Sequence, residues 1–146
     1  MRVPHNSFVM VADGKKMLFF RNEGDPEFPN LVVERKQEHE DPADRELKSD
    51  APGRAFSSVG AGRSAMEEAD FHQIEEERFA AEAAELLKAG ALSNAFESLV
   101  VVAPPRTLGE LRKHYHKEVE KRLVAEVPKD LTKALVEEIE RILQAQ

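Results

Sequence analysis

The stretch Phe8-Val-Met-Val-Ala-Asp-Gly14, with its return Met17-Leu-Phe-Phe20, decides the architecture. Five consecutive apolar residues from Phe8 to Ala12 read as a buried strand. Asp13-Gly14 is a hairpin signal, and Met17–Phe20 is the returning strand. Turn chemistry fills Asn22-Glu-Gly-Asp-Pro26 through Asn30, and a third strand follows from Leu31 to about Lys36. Three strands joined by short connections give an antiparallel meander.

Beyond the meander, residues 37–63 are polar and carry Pro42, Pro52 and three glycines. A helix comes next. Ser64-Ala-Met-Glu67 has the capping-box pattern, and Asp70-Phe-His-Gln73 offers a second start. Phe71, Ile74, Phe79, Ala83 and Leu86-Leu87 recur near the helical period, and Gly90 is the expected stop. Leu99-Val-Val-Val-Ala103 is a β-branched run suited to a central strand covered on both faces. Thr107-Leu-Gly-Glu110 is a further capping box, opening a helix through about His116. Arg122–Val127 is a fifth strand candidate that also reads as a helix continuation. Leu131–Leu143, with Leu135, Ile139 and Ile142 on one face, closes the chain as a helix. The order β-β-β-α-β-α-β-α is that of a ribonuclease H-like α/β fold (a mixed α+β sheet), five strands flanked by helices. Helical crossovers favour parallel, right-handed connections after the meander. An α+β sandwich of another topology has the same elements.

Composition narrows the function. At 146 residues the chain suits one domain, 1–146, with a real core. Twenty-one basic against 28 acidic side chains give a net charge of −7, which speaks against a surface coating nucleic acid everywhere but leaves room for a local basic patch. There is no cysteine, so disulfides, thiolate metal sites and a cysteine nucleophile are excluded. The apolar run at the N-terminus is too short for a signal peptide, and none approaches membrane-spanning length. A soluble cytoplasmic protein is expected.

The long polar loop, about 37–64, holds the leading site candidates. It contains Gly53-Arg54 and Gly62-Arg63 within Asp50-Ala-Pro-Gly-Arg-Ala-Phe-Ser-Ser-Val-Gly-Ala-Gly-Arg-Ser64. Glycines let backbone N–H groups turn toward an anion, and a guanidinium clamps it with two parallel hydrogen bonds. Arg54, Gly60, Gly62, Arg63 and Ser64 are therefore candidate ligand or RNA contacts. The structural alternative ties the two arginines to Glu67, Glu68 and Asp70. A second basic stretch spans Pro104–Ala125. There Arg106, Arg112, Lys113, Lys117, Lys121 and Arg122 outnumber Glu110, Glu118 and Glu120 by three. Arg106, Arg112 and Lys113 are its candidate phosphate contacts, against the alternative of a solvated helix face. The acidic first helix, Glu75-Glu-Glu77 with Glu82 and Glu85, is either a solvated face or a surface for a basic protein partner.

Other chemistries fit less well. A two-metal nuclease needs carboxylates converging from the first and fourth strands, but Asp13 lies at a turn and Leu99–Ala103 contains no acid. His114-Tyr-His116, and His72 with Glu75 and Glu76, are weak metal patterns. Ser58-Val-Gly-Ala-Gly does not centre its serine as a nucleophile elbow does. No metal, no cofactor and no catalytic residue is assigned.

Asp44-Arg-Glu-Leu47, Pro52-Gly-Arg-Ala-Phe-Ser57, Gly60-Ala-Gly-Arg-Ser64, Glu75-Glu-Glu-Arg-Phe79 and Val102-Ala-Pro-Pro-Arg-Thr-Leu-Gly-Glu-Leu111 together resemble the host-attachment protein family, bacterial relatives of archaeo-eukaryotic peptide-chain release factors. The resemblance covers nearly the whole chain. It implies the middle domain of those factors, in which a Gly-Gly-Gln loop between the third strand and the first helix reaches the peptidyl-transferase centre. Here Ala61-Gly-Arg-Ser64 falls at that place, with Arg63 where the glutamine would be. The resemblance thus implies association with the ribosome or another RNA, with little or no hydrolysis. A cytoplasmic interaction or regulatory factor affecting attachment to host cells is the alternative, and a peptidyl-tRNA hydrolase a second.

Overall fold

In the computed structural model the described residues are 1–38 and 65–146, with backbone only for 65–70. The elements are β1 (Phe8–Ala12), β2 (Lys16–Asn22), β3 (Leu31–Glu38), α1 (Ala65–Leu92), β4 (Leu99–Val102), α2 (Pro105–Arg112), α3 (Lys117–Arg122), β5 (Leu123–Val127) and α4 (Val136–Gln144). The strands form one mixed sheet in the order β3-β2-β1-β4-β5. The meander pairs antiparallel, β1 with β2 and β2 with β3, while β1–β4 and β4–β5 pair parallel. All four residues of β4 are fully buried, because the strand has a neighbour on each side and a helical layer over each face.

Strand alternation splits the core in two. Met10, Ala12, Met17, Phe19, Leu99 and Val101 face Phe79, Ala83 and Leu87 of α1, Leu108 and Leu111 of α2, and Val119 of α3. Val9, Val11, Phe20, Val100, Val102 and Val127 face Ile139 and Leu143 of α4, together with Val3. The alanines at 80, 83, 84 and 91 bring α1 close to the sheet, and Phe79, just before them, is 1% exposed. Burying such a ring contributes about 1.5–3 kcal/mol.

Several elements depart from the sequence expectation. The Asp13–Lys16 turn uses no left-handed glycine, since no glycine among the described residues has positive φ. Asp13 shapes it instead: its Oδ1 accepts the N–H groups of Lys15 and Lys16, both at 2.7 Å. Ala65 is already helical, so α1 does not wait for the alternative start at Asp70. It also runs past Gly90 to Leu92. Its end is a Schellman motif in which Ala95 N–H bonds Gly90 O and Asn94 N–H bonds Ala91 O, with Asn94 left-handed at φ 58°. Gly90 serves a different purpose, letting the Phe96 ring approach the helix backbone. Ile74, expected on the apolar face, is 51% exposed.

Thr107 is not a cap. Pro105 opens α2 because its fixed φ suits the first helical position, and Pro104 precedes it with no side-chain cap. The helix stops at Arg112, and a separate turn, α3, follows. Among the described residues that adds one helix to the expected order, giving β-β-β-α-β-α-α-β-α. The cap of α3 is the imidazole of His116, whose Nδ1 accepts Glu118 N–H at 3.0 Å. Arg122–Val127 resolves as a strand from Leu123. α4 begins at Val136 rather than Leu131, because residues 131–134 form a turn held by Ala134 N–H to Leu131 O. Leu135 is consequently 72% exposed instead of facing the core.

Candidate functional site

The C-terminal ends of β1, β4 and β5 share one edge of the sheet, and three connections meet there: the Asp13 turn, the Pro104–Arg106 corner and the 128–132 segment. Asp13 Oδ2 accepts Thr132 Oγ1–H at 3.0 Å, and Asp130 Oδ1 lies 2.9 Å from the same hydroxyl. Thr132 is 3% exposed and has a single proton, so it serves one of the two carboxylates at a time. This cluster fastens the C-terminal segment to the hairpin. Gly14 lies against α1, where a Cβ would sit 3.5 Å from the Glu76 side chain.

Arg106 is the second residue of α2 and projects over α1. Its Nε lies 3.0 Å from Glu76 Oε2, out of line for a good hydrogen bond, and its Nη2 donates to Gln73 Oε1 at 2.6 Å. Two-thirds of its side chain remains exposed. Gln73 passes the contact on, donating through Nε2 to Glu110 Oε1 at 3.3 Å and to Glu77 Oε1 at 3.2 Å. Lys113 Nζ also reaches Glu110 Oε1, at 3.0 Å. The bond from Lys113 holds the Glu110 carboxyl below the usual carboxylate range; partial burial works the other way, and the charges of Lys113 and His114 and the Gln73 bond add to the lowering. Arg106, Glu110 and Lys113 are spaced by four and three residues, so they share one face of α2, toward α1.

Arg112 falls on another face. Its Nε donates to Glu126 of β5, 3.0 Å from Oε1 and 3.3 Å from Oε2. Tyr115 lies beside this pair; burial pushes its phenol far above the ordinary value, and the Glu126 carboxylate adds to the rise. The three described candidates therefore divide into Arg106 with Lys113 at the α1–α2 seam and Arg112 at the β5 edge, and each faces a carboxylate. Lys121 and Arg122 likewise pair with Glu118. Arg54, Gly60, Gly62, Arg63 and Ser64 lie outside the described residues. The role of Gln73 and Glu76 as partners of Arg106 was not anticipated from sequence, because contacts across two helices leave no local signal. Among the described residues, no group of three or more acidic or histidine side chains is arranged to hold a metal, and no helix is long and apolar enough to cross a membrane.

A comparison with curated proteins gave no match. Among solved structures, the chain is similar to the crystal structure of an archaeal translation termination factor, aRF1, at 12% identity and a TM-score of 0.45. That similarity covers 92% of this chain and 36% of the archaeal factor. Over residues 6–143 the sequence matches the model of bacterial archaeo-eukaryotic release factor family 12, and the chain belongs to that family.

Proposed function

We propose that this chain acts in translation as a cytoplasmic, non-enzymatic relative of release factors that binds ribosomal or other RNA. Its contacts are Arg54, Gly60, Gly62, Arg63 and Ser64 of the Gly/Arg loop, with Arg106, Arg112 and Lys113 as further phosphate contacts. Family membership over residues 6–143 is the observation that carries this reading. Arg106 adds to it. It stands exposed at the start of a helix, just beyond the C-terminal end of a parallel strand, where α/β sheets bind ligands and where a helix presents unpaired N–H groups to anions. The strand order β3-β2-β1-β4-β5, antiparallel then parallel, supports the ribonuclease H-like assignment. Hydrolysis is not assigned, because Arg63 occupies the place of the glutamine.

The test is co-sedimentation with ribosomes on a density gradient across a salt series. The parent runs beside the Arg54→Ala/Arg63→Ala pair and Arg106→Ala. The expected result is salt-sensitive co-migration, lost in the double variant. Each phosphate contact removed flattens the salt dependence by roughly 0.7 log units per log salt on single strands. Absence of co-migration at low salt overturns the reading and leaves a protein partner of the acidic α1, including one that acts on attachment to host cells. Peptidyl-tRNA turnover that disappears with Gly62→Ala or Arg63→Ala overturns the non-enzymatic part.

A further inference from the structure

At the opposite end of the sheet, before β1 and β4 begin, the N-terminal segment and the α1–β4 connection enclose a cleft of about 330 Å³. That is near the lower limit of small-ligand sites, roughly 300–1,000 Å³. Phe96 closes its floor but is only 2% exposed, its ring already stacked on Phe8 with centroids 5.0 Å apart at 15°. Its rim is polar, and the hydrogen-bond capacity of that rim is only partly used.

His5 Nδ1 lies 2.7 Å from the Gly24 carbonyl. A carbonyl only accepts, so the proton is on Nδ1, and in the neutral ring Nε2 keeps a free lone pair. The Asn94 carboxamide is fixed by Arg122 Nη2, which donates to its Oδ1 at 3.1 Å, and its amino group has both donors unspent. Arg21 lies over the Phe8 ring at 4.9 Å; it bonds Glu34 through Nε at 2.6 Å and Nη2 at 3.3 Å, and the Asn6 carbonyl through Nη1 at 3.1 Å. Three of its five N–H donors are used and two are left. Charge at this rim is balanced: Glu34 offsets Arg21, Glu118 lies 3.8 Å from Arg122, and Glu97 is exposed. A dianion finds no surplus of positive charge there.

Asn6 (φ 66°) and Asn94 (φ 58°) are the non-glycine residues with positive φ among those described, and both line this cleft. Glycine would satisfy either backbone turn without strain. What asparagine adds is a carboxamide, a donor and an acceptor side by side.

We propose that this cleft binds a nucleobase. A planar, uncharged ring fits the volume of this cleft and its rim of mixed donors and acceptors. Carboxamides read base edges in pairs, while guanidinium and imidazole planes stack on base faces. The base comes either as a free nucleoside or unstacked from a single strand. This site shares no residue with the proposed RNA contact.

The test follows the Asn6, Asn94 and Arg21 side-chain N–H resonances by NMR. The probes are adenosine, guanosine, cytidine and uridine, then a single-stranded RNA tetranucleotide, then inorganic phosphate. At least one nucleoside is expected to shift these resonances saturably. Asn94→Gly and Asn6→Gly keep the backbone conformation and are expected to weaken binding about five- to a hundredfold. Tighter binding of the tetranucleotide assigns the base to a strand; equal or weaker binding assigns it to a free nucleoside. No saturable shift with any nucleoside or the tetranucleotide overturns the proposal. So does phosphate alone reproducing the shifts, or both glycine variants binding as the parent does. The titration uses neither ribosomes nor the loop arginines, so its failure is distinct from failure of the translation reading.

Discussion

Replacing Gly90 by alanine sets two effects of known size against each other. In a helix interior alanine is favoured over glycine by about 1 kcal/mol. Here, however, the added Cβ would lie 2.6 Å from Cε1 and 3.3 Å from Cδ1 of Phe96. Carbon pairs settle near 3.5–4.0 Å, so the ring or the helix must move by about 1 Å. Phe8 stacks on that ring and blocks its retreat. Overpacking of this kind costs about 1–3 kcal/mol, which leaves a net loss of about 1 kcal/mol and a Tm lower by roughly 3–5 °C. Urea unfolding followed by circular dichroism measures it, with a double-mutant cycle through Phe96→Leu. Leucine keeps an apolar contact but lacks the atom at Cε1, so in that background Gly90→Ala should turn stabilising. A gain of stability in the parent, or the same change in both backgrounds, would refute the close-approach explanation of Gly90.

Asn22 is fully buried and uses its whole carboxamide: Nδ2 donates to Val3 O and Pro4 O, and Oδ1 accepts Gly24 N–H and Asn30 N–H. Asn22→Leu strands several of these groups at about 1–3 kcal/mol each, so a loss of at least about 3 kcal/mol is expected in chemical denaturation. Glu110 has a carboxyl lowered on folding, so its contribution to stability is full above the unfolded value and is lost as pH falls through the folded one. Glu110→Gln should therefore be less stable than the parent at neutral pH, with the gap closing as pH drops below the ordinary carboxylate range; a pH-independent gap in urea titrations would contradict this. Glu76→Gln frees Arg106 from its counter-charge, and on the proposed function it should raise RNA affinity and steepen the salt dependence in filter binding, where unchanged affinity counts against Arg106 as a phosphate contact.

The meander and the β4 core were legible because their signal is local. Phe8–Ala12 and Leu99–Val102 are runs that only a strand covered on both faces can bury, and turn residues punctuate them. Caps were less legible. Thr107 and Glu110 match the capping-box spacing, yet Pro105 fixes the backbone two residues earlier and starts α2 there. His116 caps α3 with an imidazole, a residue type outside the usual capping set. Leu135 has the right period for the core, but Thr132, tied to Asp13 and Asp130, holds the preceding turn and displaces the helix start. The cleft gave no local signal at all, since its asparagines lie 88 positions apart in the chain.

Arg106, Arg112 and Lys113 do not form a bare patch, and that changes how their binding energy must be counted. Arg106 faces Glu76, Lys113 faces Glu110, and Arg112 faces Glu126. An incoming phosphate meets a guanidinium or ammonium that already has a partner. The free energy of each contact is therefore the difference between two ion pairs in water, and exposed pairs of this kind are individually worth about 0–1 kcal/mol. Three such exchanges give little affinity on an acidic body of net charge −7. Their effect is selective: a phosphate strand wins where it can engage several cations together and release counterions, whereas an isolated anion gains almost nothing. On the proposed function, binding at this edge therefore demands a polyanion of defined spacing, while the charge-balanced cleft at the other end of the sheet is suited to a single base.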